Sequence, residues 1–457
     1  MHSSAYLYAS ILLLCLPLNK VDFSVLKADE VTDPRRELQL LREQNEALQR
    51  QMRKQAEQLD RLTKIVTELQ DSVPKSQPQK PQTSDLDPST PQTPQTPRQE
   101  SIFRSAVQES LGKVHISGQG GLAFFSHESN GRFPDAAFRA DEAYLFVEAP
   151  VFEDIYLFSE TKFFRREDLS QQIIPGEIYL DFENLSRWWN QESQLSLRMG
   201  RLDIPFGEEY LSRDASDNRL ISHSLSDFWG IDEGVEVYGT LKHIQYVLAV
   251  QNGGHPSIND YNSDKSVTLR LGGDPVKWLH LGVSLMRTGD LDVKNDQLSG
   301  LWFGNGFFRS VGSTNTTTFE ANLVQGDTTF RWQNGHLGLS GGAIQYSDND
   351  PRSSNSRTVF FYSTEVVQYL SKKFYLAGRF SEIWTDRGFP MVGDGGYSKY
   401  LNQVLTKDLW RFSIGVGYQI GPSLLLKAEY SINRGHEANG NPRDQENLSA
   451  VEASFKF

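Results

Sequence analysis

The chain has 457 residues, with 46 Lys and Arg against 58 Asp and Glu, a formal net charge of −12, and 38 % hydrophobic residues. Beyond the N-terminus no stretch reaches the ~18 consecutive apolar residues of a spanning helix. That excludes a bundle of membrane helices but not a closed β-barrel, whose lipid face uses only every second residue. The acidic balance argues against a general nucleic-acid binder, which would carry a basic stripe, so no nucleic-acid partner is expected.

In chain order, Tyr6 to Leu18 is a short apolar run centred on Ile11-Leu12-Leu13-Leu14. It fits the core of a secretory signal and is too short to span as a helix. The expected signal covers residues 1–28, with cleavage near Ala28. Cys15, the sole cysteine, would leave with it, and disulfides and Cys-based zinc sites are then excluded.

From Leu38 the apolar positions alternate by three and four: Leu38, Leu41, Asn45, Leu48, Met52, Gln55, Leu59, Leu62, Val66 and Leu69. A sustained 3.5 period with Arg, Gln and Glu between predicts a homo-oligomerising coiled coil over 36–70. Asn45 falls at an a position, where a buried amide fixes register. Seven prolines then fall within 71–100, at 74, 78, 81, 88, 91, 94 and 97, among Gln, Thr and Ser. That composition predicts a semi-rigid linker with nothing apolar to pack.

From residue 113 to 457 the period is two. Trp410, Phe412, Ile414, Val416 and Tyr418 alternate with Arg411, Ser413, Gly415 and Gly417, and Leu424, Leu426, Ala428 and Tyr430 alternate with Leu425, Lys427 and Glu429. Sixteen strands are expected, joined by seven short turns alternating with eight long loops. That alternation, with 27 Phe, 17 Tyr and 8 Trp to supply interfacial girdles, predicts an all-β, 16-stranded antiparallel transmembrane β-barrel preceded by the coil and linker. The terminal Phe457, with Phe455, Ala453 and Val451 on its face, resembles the signal read by the outer-membrane barrel assembly machinery. The expected location is the cell outer membrane, in contact with its lipid. With an even strand count both barrel ends lie in the periplasm, where the stalk could meet peptidoglycan or another periplasmic component.

Nothing marks an enzyme. His127, His223, His255, His336 and His436 are scattered, and no G-x-S-x-G, H-E-x-x-H or P-loop occurs. Asp260-Tyr261-Asn262-Ser263-Asp264 opens like a calcium loop, but Lys265 stands where the Gly should be and Leu271 where the closing Glu should be. A polar loop is the better reading, and neither metal nor other cofactor is expected. Arg198, Arg270, Arg411, Lys427 and Glu429 share the polar face of their strands. In a water-filled barrel that face is the lumen, because charge toward lipid is costly.

The informative segment is 200–239. It holds Gly200-Arg201-Leu202-Asp203-Ile204-Pro205-Phe206-Gly207, then Asn218-Arg219-Leu220-Ile221-Ser222-His223-Ser224-Leu225, then Gly234-Val235-Glu236-Val237-Tyr238-Gly239. This layout resembles the phosphate-selective porin O and P family, in which a strand ends in G-x-x-x-x-P-F-G, a long third loop carries a hydrophobic "SL" element, and a strand returns as G-x-x-x-x-G. The resemblance implies a sixteen-stranded trimeric porin whose third loop folds into the lumen and narrows it. This chain departs at the charges. Family members tend to be basic around that loop element and before the returning strand, where Ser222-His223 and Asp232-Glu233 stand here. The expected constriction loop holds Glu208, Glu209, Asp214, Asp217 and Asp227 against Arg213 and Arg219. Residues 101–457 carry 33 basic against 44 acidic side chains. Charged rings set pore selectivity, so these residues predict a channel that passes small hydrophilic solutes or ions without an anion filter. The alternative function is structural: an outer-membrane anchor tethering the envelope layers through its stalk.

Overall fold

The computed structural model describes residues 114–164, 173–254, 260–296, 315–352, 355–391 and 405–457. The expected signal, coiled coil and linker lie outside them. Sixteen long strands run in order: β1 (His115–His127), β2 (Ala137–Phe152), β3 (Ile155–Phe164), β4 (Ile174–Phe182), β5 (Ser196–Asp203), β6 (Ile231–Leu241), β7 (Ile244–Gln251) and β8 (Ser266–Val276). There follow β9 (Leu279–Arg287), β10 (Thr318–Trp332), β11 (Gly335–Asp348), β12 (Arg357–Tyr369), β13 (Phe374–Phe389), β14 (Thr406–Gly421), β15 (Leu424–Glu437) and β16 (Leu448–Lys456). Two-residue strands, Leu291–Asp292 and Pro442–Arg443, lie within long loops and were not anticipated by the alternation.

Each long strand pairs antiparallel with the next. The ring closes where β1 meets β16, from Gln119 opposite Lys456 to His127 opposite Leu448. Closure removes the open edges that would otherwise template aggregation or strand unpaired backbone in lipid. At the seam Gly118 donates to the Phe457 carbonyl at 3.1 Å and Phe457 donates back at 2.9 Å. The Phe457 ring lies over Gly118 so closely that a Cβ there would come within 2.6 Å of it.

The strand faces invert the usual rule of burial. On β9, Leu281 and Leu285 point outward, 46 % and 47 % exposed, while Ser284 between them points inward at 0 %. Ser381, Ser413 and Ser431 are likewise fully buried inside, against outward Phe412, Ile414 and Tyr430. Six of the seven turns are two to four residues long and the eight loops opposite them run to eight or more, as the alternation predicted, but the β4–β5 turn at 183–195 is longer than several of those loops. The longest turn, between β4 and β5, contains a 3₁₀ turn at Leu185–Trp189.

Candidate functional site: a loop docked inside the barrel

Loop 204–231 leaves the end of β5 and folds inward. Two glycines make this path available. Gly200 has φ +143°, and a Cβ there would lie 2.3 Å from the Ile178 carbonyl. Gly207 has φ +75°, a left-handed conformation that other residues adopt at a cost, and its N–H donates to Ser284 Oγ at 3.0 Å. Between them Phe206 is 1 % exposed. The P-F-G tag therefore has a physical reading: a buried aromatic pins the loop to the wall and the glycine after it turns the chain.

The loop's apolar residues dock at separate places. Leu220 packs with Val367, Tyr375, Ala377 and Leu425. Its neighbour Ile221 packs with Ala123, Phe125, Leu448 and Ala450 across the seam. Ile204, Phe206, Leu225 and Phe228 join a larger cluster, in which Leu323, Tyr346 and Phe361 of the wall meet Leu291, Val293 and Met391 of other outer loops. Each fully buried side chain of this size contributes about 1.5–3 kcal/mol. This is what the hydrophobic "SL" element does. The third cluster fills the interior along β9–β14 in the manner of a soluble core. Arg443 holds that roof in place, bonding Glu446 at 2.7 Å and the Met391 carbonyl at 2.5 Å.

Polar side chains of the wall bind the loop backbone. Lys427 Nζ donates to the carbonyls of Ala215 at 2.7 Å and Leu220 at 3.1 Å, and sits 2.8 Å from Glu452. Glu429 accepts from the Ile221 N–H, from the Ser222 N–H at 2.8 Å, and from the hydroxyls of Ser222 and Ser431. Arg411 donates to the His223 carbonyl at 3.0 Å and to Asn433 at 2.8 Å. Strand parity expects these three on a water-filled wall. They do point inward, but the loop covers them and they are at most 5 % exposed. Parity reports which face a residue takes, and it is silent about what occupies that face.

Arg198 and Arg270 also point inward, on the other side. Arg198 bonds Asp181 at 2.8 Å and Glu236 at 3.1 Å, and Arg270 bonds Glu208 at 3.0 Å. Within the loop, Arg213 pairs with Asp227 at 3.0 Å, and His223 Nδ1 lies 3.1 Å from the same carboxylate. Burial alone would raise Asp227, but Arg213 and then His223 outweigh it and hold the carboxyl down to about 2. Glu208 is likewise drawn below its ordinary value, because Arg270 and His280 overcome its burial. Glu209 accepts from Ser224, and burial and then the nearby Asp227 raise it against the pull of Arg379. Asp214 accepts from Gln119 of β1, and Asp217 from Ser216 at 3.1 Å. Arg219 stacks on Tyr375 at 5.7 Å, and its carbonyl accepts from the Tyr375 hydroxyl at 2.9 Å. Most of the loop's charges are therefore tied into the protein.

Sequence reading missed Arg379 of β13. It reaches the Ser222 carbonyl at 2.8 Å and Asn218 Oδ1 at 3.1 Å while pairing with Glu365. Its place between Ala377 and Ser381 on the inward face was a signal available from the alternation.

Between the loop and the wall of β1–β8 lies a small chamber of about 70 Å3. Lys162, Arg198, Arg213 and Arg270 line it, as do Glu160, Glu177, Asp203, Asp214 and Glu236. Aromatic rings stand between the charges: Phe146, Phe158, Tyr210, Trp229 and Tyr238. None of Lys162, the ring set, Glu177 or Asp203 was singled out from sequence.

No family model matches the chain, and no curated protein matches it. Among solved structures it is similar to the outer membrane channel DcaP of Acinetobacter baumannii, at 13 % identity and TM-score 0.51, over 76 % of this chain and 97 % of that one. It is also similar to OmpT, an outer membrane protein of Vibrio cholerae in its trimer form, at 13 % identity and TM-score 0.50, over 76 % of this chain and all of that one. At such identity the likeness establishes the fold alone, a closed sixteen-stranded antiparallel β-barrel.

Proposed function

We propose that this chain is an outer-membrane diffusion channel, passing small hydrophilic solutes or ions through a barrel narrowed by loop 204–231. The observation that carries the reading is the loop itself. It enters the barrel, closes the β9–β14 side with an apolar core, and leaves a charged chamber on the other side. Passage needs no cofactor, since size and charge exclude what does not fit. The phosphate selectivity of the family that the sequence resembles would need a net positive path. The chamber's lining instead carries five acids against four bases, which favours cations over anions. Assembly as a homo-oligomer, a trimer by that resemblance, and a periplasmic stalk at residues 36–70 belong to the same proposal.

The test is single-channel recording from the purified protein in a planar bilayer under a KCl gradient. Stable steps with a cation-leaning reversal potential are expected. Silence from folded barrels would defeat the channel and favour the anchor reading, which the coil and linker suggest. Deleting residues 30–100 separates the two: a channel keeps its conductance, and an anchor loses its function.

A further inference from the structure

Strands β13 and β14 lose register near their long-loop ends. They pair as far as Trp384 opposite Asp408, and the next pair is Phe389 opposite Thr406, so residues 385–388 of β13 stand against Lys407 alone. On its other side β14 slips at the same place. Thr406 opposes Glu437 and Asp408 opposes His436, which again leaves Lys407 with no opposite residue. A bulge of this kind re-aims a side chain and is a built feature of a sheet. Here Lys407 is exposed, and a groove of about 300 Å3 opens among Glu382, Trp384, Thr385, Asp386, Lys407 and Asp408. That volume is at the lower end of small-molecule sites, ~300–1,000 Å3.

The groove lies on the outward face, at the level where a barrel meets lipid head groups. Trp384 stacks on the exposed Phe360 at 5.6 Å and stands edge-on to Tyr362 at 5.9 Å, and Phe380 stacks on Trp410 at 6.1 Å. Such rings mark the membrane–water interface. Toward the short-turn side the wall is apolar, with Leu376, Phe412 and Ile414 exposed. It also carries a recess. Gly378 pairs with Val366 and Ile414, and a Cβ there would meet no heavy atom nearer than 3.7 Å.

Both signs of charge are present. Lys407 and Asp386 are exposed at the rim. Glu382 Oε2 accepts from the Tyr362 hydroxyl at 2.8 Å, and Asp408 Oδ1 lies 2.9 Å from His436 Nδ1. A purely anionic head group would bring its charge against three carboxylates. A purely cationic one would set its charge against Lys407.

We propose that this groove binds the phosphoethanolamine head group of a membrane lipid. The phosphate lies toward Lys407, the ammonium toward Asp386 and Asp408 beside the Trp384 ring, and an acyl chain descends over the Gly378 recess. A primary ammonium offers three N–H donors to carboxylates, which a trimethylated one lacks. The apolar, recessed wall next to the groove favours the lipid over its free head group. The proposal needs only the barrel in its membrane and holds whether or not the barrel conducts.

Native mass spectrometry of the full-length protein, released from detergent with one probe at a time, tests it. The probes are dioleoyl phosphatidylethanolamine, phosphatidylcholine and phosphatidylglycerol, and the soluble glycerophosphoethanolamine. The ethanolamine lipid is expected to be retained about threefold or more above the choline and glycerol lipids, and about tenfold or more above the soluble head group. Lys407→Ala and Asp386→Asn should each lower its retention roughly two- to fivefold, the range one exposed charge contact supplies. Choline or glycerol lipid retained as well as the ethanolamine lipid, or both folded variants retaining it as the parent does, would overturn the site. Soluble head group retained as well as the lipid would overturn the assignment to a membrane lipid. If a variant fails to fold, the ranking of the four probes on the parent decides alone.

Discussion

The two sides of the barrel interior differ in how loop 204–231 meets them. Along β9–β14 it contributes Ile204, Phe206, Leu225 and Phe228 to an apolar cluster that also draws in Leu291, Val293 and Met391 from other outer loops. Along β2–β8 it presents Tyr210, Arg213, Asp214 and Trp229 to a space bounded by charges and rings. One segment thus serves as core on one side and as chamber lining on the other. The lesson is that docking and lining are separable: the apolar residues and the buried wall charges place the loop, and the β1–β8 side carries the charged lining on which the proposed channel would select.

The sharpest way to break this division is Lys427→Met. Lys427 is 4 % exposed and holds loop carbonyls together with Glu452. Leaving that carboxylate buried without its ammonium should cost about 3–5 kcal/mol. The loop should undock, seen as larger, noisier single-channel steps and new protease cleavage within 204–231. Unchanged steps would mean the loop is held by its apolar contacts alone. Phe206→Ala attacks those contacts. Emptying a fully buried ring site costs about 3–5 kcal/mol at most and less where neighbours collapse, so conductance should rise with a smaller gain in noise.

The Arg213–Asp227 pair lies at the boundary between the two sides. Its carboxyl titrates at about 2 against an ordinary 3.8. A depressed folded value means that the stabilisation is complete above about pH 5 and is lost as pH falls toward 2, about 2 kcal/mol in all. Current noise should therefore grow between about pH 4 and 2, and Asp227→Asn should flatten that response. Gly207→Ala forces a side chain into a left-handed site with Gln325 Nε2 2.7 Å away. It should cost about 1–2 kcal/mol, lowering the unfolding temperature while keeping ion preference. At the far end of the scale, Lys265 and Asp260 form an exposed pair at 2.6 Å. Lys265→Ala should leave both stability and conductance within about 0.5 kcal/mol of the parent.

The sequence by itself determined the barrel. Period-two alternation, sorted loop lengths and a terminal aromatic strand locate sixteen strands and say which residues turn inward, because a strand facing lipid on one side and protein or water on the other leaves its choice of face in every second residue. The resemblance carried by residues 200–239 pointed to the loop, while its docking residues Leu220, Ile221 and Leu225 took their meaning only from the structure. What only the tertiary structure decided is the company those residues keep. Lys427, Glu429 and Arg411 look in sequence like Arg198 and Arg270, all inward charges on strands. Their partners differ: the loop's backbone binds Lys427, Glu429 and Arg411, whereas Arg198 pairs with carboxylates of the wall and Arg270 with the loop's Glu208, a result of how the loop docks on strands distant in sequence. Arg379 and the Phe146–Phe158–Tyr179 ladder escaped notice for the same reason. Each is an ordinary alternating strand residue until the barrel closes and sets it against the loop or against a neighbouring strand's ring.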